Sequence, residues 1–99
     1  NEFLEYGSRH ALLLENRLMK DNNYDILCGN AGAIHIFCKL YEMTNNEKFI
    51  KMAQSAADQL LTDAKVQAIG VGWSNEEFPC PLAGFAHGNA GIAYSLMEL

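Results

Sequence analysis

What the chain has little of already excludes several function classes. Seven Lys and Arg face twelve Asp and Glu, for a net charge of −5, and no local basic stripe compensates. Nucleic acid is thereby excluded as a partner. The longest apolar run falls far short of the roughly 20 residues that a membrane span needs. The three cysteines, Cys28, Cys38 and Cys80, are an odd number, and none stands in C-x-x-C spacing. That usage fits free thiols in a reducing cytoplasm, and neither a disulfide framework nor a zinc finger. Proline occurs only at Pro79 and Pro81, where it excludes regular helix. No secretory signal is visible.

Ninety-nine residues make one domain at most. The chain opens at Asn1 on a run that already reads as helical and stops ten residues after its last helix start, so residues 1–99 are expected to be a segment of a larger protein. A unit of this size buries a modest core and leaves apolar faces uncovered, which favours self-association.

Against these absences stands a tetrapeptide that occurs twice. Gly29-Asn30-Ala31-Gly32 returns as Gly88-Asn89-Ala90-Gly91, 59 positions later, and Cys28 before the first copy is His87 before the second. A motif at a fixed period marks a repeat architecture. Each copy opens an apolar, helix-compatible stretch. Phe3, Leu4, Leu12, Leu13, Leu14, Leu18 and Met19 recur at helical spacing over 2–20, and Asp21-Asn22-Asn23 is a turn. Asn30 is placed to cap a helix from Ala31 to Met43, apolar nearly all round and so buried on most sides. After Thr44-Asn45-Asn46 an amphipathic helix runs from Glu47 to about Thr62, its stripe formed by Phe49, Ile50, Met52, Ala53, Ala56, Ala57, Leu60 and Leu61. Residues 63–86 lose the helical period and are weakly strand-like around Val66–Val71. Asn89 is placed to cap a last helix.

The expected fold is therefore all-α: about four helices and one long loop, with buried helices alternating with amphipathic ones as in part of an α/α toroid. The glycine turns permit close backbone approach or positive φ. The buried helices point their N-termini, with free N–H groups, toward one face, which is the natural place for a site.

His87 directly precedes a helix start, whose positive end favours the neutral imidazole and hence a base or electrophile. The plain alternative is a histidine that packs the turn. Asp25, before the first glycine turn, can face His87 if the repeats are neighbours, and a carboxylate there would orient the ring; its commoner use is to start a turn. Cys28, Cys80 and His87 have no recognised zinc spacing, and Cys28 reads as a small core residue. Glu76-Glu77 form an acidic pair of the kind glycoside chemistry uses, although neighbouring loop carboxylates are more often simply solvated. Trp73 reads as a loop anchor, and His10 and His35 as structural residues.

Gly84-Phe85-Ala86-His87-Gly88-Asn89-Ala90-Gly91-Ile92-Ala93-Tyr94 resembles the G-[FL]-[SA]-H-G-x-x-G-[IP] signature of the lanthionine synthetase C-like cyclases. Tyr24-Asp25-Ile26-Leu27-Cys28-Gly29-Asn30-Ala31-Gly32-Ala33-Ile34 resembles that family's D-[VI]-[IL]-x-G-x-x-G-[AI]-[IL] repeat. The resemblance covers roughly residues 20–99 and is closest to the C-terminal cyclase half of the class II (LanM-type) lanthipeptide, or lantibiotic, synthetases. It implies an α/α toroid and zinc-assisted addition of peptide cysteine thiolates to dehydroalanine or dehydrobutyrine in a dehydrated precursor peptide. It also implies an acid/base role for His87, with Asp25 acting on that histidine. The family's W-C-x-G and C-H-G metal motifs are missing here. The expectation is thus zinc in the full-length parent, none held by this segment, and no cyclisation by the segment alone. Two other readings are a carbohydrate-active α/α-toroid enzyme using Glu76 and Glu77, and a non-catalytic cyclase-like scaffold that binds peptide or glutathione.

Overall fold

The computed structural model describes residues 2–18 and 22–99. Among these the regular structure is helical apart from one small hairpin, in the order α1 (Glu2–Leu13), α2 (Glu15–Leu18), α3 (Asn30–Thr44), α4 (Glu47–Asp63), β1 (Lys65–Val66), β2 (Val71–Gly72) and α5 (Asn89–Glu98). The expected all-α class is the one observed, with the layering of a toroid segment: α3 lies between α4 on one side and α5 on the other. The first helix is shorter than its sequence period. It stops at Leu13 and resumes as α2 after a turn at Leu14. Leu13 and Leu14 are both exposed, so no burial holds the helix through that point. Met19, Lys20 and Asp21, on which the expected helix end and turn fall, lie outside the described residues.

The core is built where α3 and α4 face each other. Ile34, Phe37 and Leu40 of α3 meet Phe49, Met52, Ala53, Ala56 and Leu60 of α4, and Ile92 of α5 closes the layer. Burying a side chain of the size of Phe37 or Phe49 stabilises the fold by about 1.5–3 kcal/mol. The alanines at 53, 56 and 57 let α4 approach closely. Three apolar positions depart from the sequence reading. Leu61 leaves the stripe of α4 and is exposed, and α3 is not covered all round, because Ile36 and Met43 face outward. A helix apolar on every side is fully covered only by more neighbours than α4 and α5 supply.

Between α3 and α4 the chain turns at Asn45, which takes a left-handed φ of 54° and gives its N–H to the Tyr41 carbonyl. Asn46 then caps α4, its side chain accepting from the Lys48 N–H at 3.0 Å. Downstream of α4, β1 and β2 pair antiparallel in the register Lys65↔Gly72 and Val66↔Val71. The turn that joins them depends on Gly70 at φ +79°. The expected anchoring by Trp73 is observed: its indole Nε1–H donates to the Leu60 carbonyl at 2.7 Å, fastening the long loop to the last turn of α4. No helix among the described residues is long and apolar enough to cross a membrane.

Candidate active site

The two glycine turns are built on one plan. In the first, the N–H groups of Asn30, Ala31 and Gly32 donate to the carbonyls of Asn23, Tyr24 and Asp25. In the second, those of Asn89 and Ala90 donate to Leu82 and Ala83, at the same offset of seven residues. The chain therefore doubles back over each helix start, and the glycines are what allow it to lie so close. A methyl group at Gly32 would overlap the Ile26 carbonyl oxygen, and one at Gly91 would overlap that of Phe85.

This arrangement corrects two expectations and decides between the two uses expected of the glycines. The N-caps of α3 and α5 are Gly29 and Gly88, and neither Asn30 nor Asn89 caps its helix. An asparagine cap serves to satisfy free N–H groups, and here the returning backbone has already taken them. Asn30 is instead fully buried, and Asn89 donates through Nδ2 to the Val71 carbonyl, holding the hairpin against α5. The glycines serve close approach and not positive φ: Gly29 and Gly88 are extended, at φ −131° and −135°. Because these helix starts are occupied by carbonyls, they are not open anion sites.

Doubling back also sets the two turns side by side and brings Asp25 to His87. The imidazole Nδ1 lies 2.7 Å from Asp25 Oδ2, joining residues 62 apart in sequence. The other carboxylate oxygen, Oδ1, accepts the Cys28 N–H at 2.6 Å. Asp25 is buried, while 40% of the His87 side chain is exposed. The carboxylate is thus held from both sides and serves its turn as well as the histidine. A carboxylate accepts only, so Nδ1–H is the donor, and in the neutral ring Nε2 keeps its lone pair. Phe78 lies against the ring, with centroids 5.2 Å apart and planes inclined by 31°.

The cleft beside the pair is narrow, about 10 Å³, bounded by Tyr24, Trp73, Asn75 and Phe78. That is room for about one water. A much larger apolar cavity, about 540 Å³, lies on the other side of the first turn between Leu14, Ile26, Cys28, His35 and Ile36. It does not contain the pair. Any substrate of His87 therefore meets the exposed edge of the ring from outside.

The remaining candidates fall elsewhere. Cys28 is exposed and not a core residue, because its turn bulges away from α3; Cys80 is exposed too. Glu76 and Glu77 project from the loop, both exposed. The His10 Nδ1–H donates to the Tyr6 carbonyl, and His35 packs on Tyr94. Among the described residues no three His, Cys, Asp or Glu side chains are grouped to hold a metal ion. The described residues therefore offer no grouped donor set for zinc. Sequence reasoning passed over Asn75 and Phe78, which sit at the pair; their only signal is their place in the Trp-to-Pro loop.

Cys38, the buried thiol, differs from the other two. Burial pushes it up from its ordinary 9.0, and Glu98 and Glu42 add to the effect. The folded chain thus favours the protonated thiol. Its contribution to stability is complete below pH 9.0 and is lost as pH rises through the higher folded value. Iodoacetamide at pH 8 is expected to label Cys28 and Cys80 and to spare Cys38 until the fold opens, as peptide mapping would show; labelling of all three at one rate would contradict the structure.

The fold is thus an all-α scaffold that sets a partly exposed histidine on a buried carboxylate. The chain belongs to the lanthionine synthetase C-like protein family, which it matches over residues 1–99. Comparison with curated proteins and with solved structures returned no match.

Proposed function

We propose that the chain is part of the cyclase of a class II lanthipeptide synthetase and supplies its acid/base pair, His87 and Asp25. The observation that carries this reading is the 2.7 Å contact between Asp25 Oδ2 and His87 Nδ1, which leaves Nε2 free at an exposed edge. Membership of the lanthionine synthetase C-like family supports it.

In this reading His87 Nε2 takes the proton of a cysteine thiol in the dehydrated precursor peptide. The thiolate adds to the β-carbon of a dehydroalanine or dehydrobutyrine, and the C=C electrons move to the α-carbon and its carbonyl as an enolate. The imidazolium then returns a proton to the α-carbon. One S–H and one C=C π bond are lost, one C–S and one C–H bond form, and no oxidant is needed. Asp25 keeps the proton on Nδ1 and balances the charge of the imidazolium. No step is assigned here to a metal, since the residues present do not form a seat for one.

Ring closure is an isomerisation and leaves the peptide mass unchanged, so the assay counts thiols that remain open to alkylation. In the complete protein that carries this chain, His87→Ala is expected to slow thiol loss by about 10²-fold or more. Closure at the wild-type rate would sink the proposal.

A further inference from the structure

A hydrogen bond at Nδ1 fixes one atom of the His87 ring but not its plane, because the imidazole can still swing about that contact. The ring that blocks the swing belongs to Phe78, tilted by 31° at 5.2 Å. Phe78 stands on the long loop, which carries no regular structure at this point. Something must therefore hold this loop across the gap to the Asp25–His87 pair.

The Asn75 side chain spans that gap. Its Nδ2 donates to the Asn22 carbonyl at 2.9 Å and to Asn23 Oδ1 at 3.3 Å, both in the segment leading directly into Asp25. Its Oδ1 accepts the Phe78 N–H at 2.7 Å, and its own N–H donates to the Phe78 carbonyl at 2.9 Å. One amide thus grips the strand of chain that bears the carboxylate and the residue that faces the imidazole. Both donors and the acceptor are used, so neither a carboxylate nor a hydroxyl could replace all three bonds.

We propose that Asn75 is a positioning residue for His87: it clamps the loop onto the Asp25 turn and seats Phe78 against the ring, so that Nε2 points along one direction. The proposal rests on the acid/base reading of His87. Misorienting a catalytic group lowers turnover more than binding, because the lost interaction is one made in the transition state.

The test is steady-state thiol consumption by the complete protein with a dehydrated precursor peptide. Asn75→Ala is expected to lower kcat about tenfold while KM stays within about twofold. Phe78→Leu is expected to match it, and Phe78→Tyr, which keeps the ring, to retain turnover. The double variant Asn75→Ala/Phe78→Leu is expected to be no slower than the slower single, since both act through one contact. Wild-type kcat in Asn75→Ala, or losses that multiply in the double variant, would overturn the proposal. Should Asn75→Ala fail to fold, the Phe78→Leu and Phe78→Tyr pair decides: equal turnover in the two removes the ring contact from the argument. His87→Ala in the same assay keeps the two claims apart. Its failure to slow closure refutes the acid/base reading, whereas slow His87→Ala with fast Asn75→Ala refutes the clamp alone.

Discussion

Asp25→Asn is expected to reduce kcat/KM for ring closure by about 10³-fold with the fold intact. The size follows from which oxygen is already taken. Asp25 Oδ1 holds the Cys28 N–H at 2.6 Å, and only an oxygen can accept there. An asparagine must keep its Oδ1 in that place and turn its Nδ2 toward His87, in the position that Oδ2 now holds 2.7 Å from Nδ1. An amide nitrogen donates, so Nδ1 would have to accept and the proton would pass to Nε2. The nitrogen at the exposed edge would then be a donor with no lone pair for a thiol proton. Nitrogen-detected NMR of the His87 ring would report the exchange of tautomers directly. Unchanged tautomer and unchanged turnover in Asp25→Asn would show that the carboxylate is merely a turn former.

A large stability effect is expected at Gly91. A methyl group there would overlap the Phe85 carbonyl oxygen and come within 3.1 Å of its carbon, both backbone atoms that no rotamer change can remove, and within 3.2 Å of the Ile26 side chain from the other turn. Gly91→Ala should cost about 3 kcal/mol, which for a domain of this size lowers Tm by roughly 12–24 °C. Gly7 is the control. It lies inside α1 with open space around it, and Gly7→Ala should stabilise by about 0.5–1 kcal/mol through helix propensity. Thermal melts followed by circular dichroism measure both. A Gly91→Ala protein melting with the wild type would mean that the chain does not lie as close over the helix start as described.

The repeated G-N-A-G made much of this legible in the sequence. Equal spacing around two glycine turns implies two like structures, and like structures side by side put Asp25 within reach of His87. The amphipathic period of α4 and the asparagine turn before it were equally readable, because both are local. What escaped was set by tertiary contact. Asn30 and Asn89 look like caps until the returning carbonyls are seen to occupy the helix starts. Cys28 looks like core because its neighbours are apolar, yet its turn faces outward. Asn75 and Phe78 stand in a loop without a period; the partners of the Asn75 Nδ2 lie more than 50 residues upstream, so no window of sequence could pair them, and Phe78 meets His87 only through the fold of the loop.

The distance along the chain between the two halves of the pair also bears on how the protein folds. Each glycine turn closes over seven residues, whereas the imidazole–carboxylate bond closes a span of 62. The entropic cost of closure rises with the logarithm of that span, so contacts local to each turn form first and the bond between them last. Under partial opening the repeats are then expected to separate before either one melts, an order that native-state hydrogen exchange at the two turns would report. The Asp25–His87 bond is thus a latch on the closed chain, present only when both repeats are folded and docked.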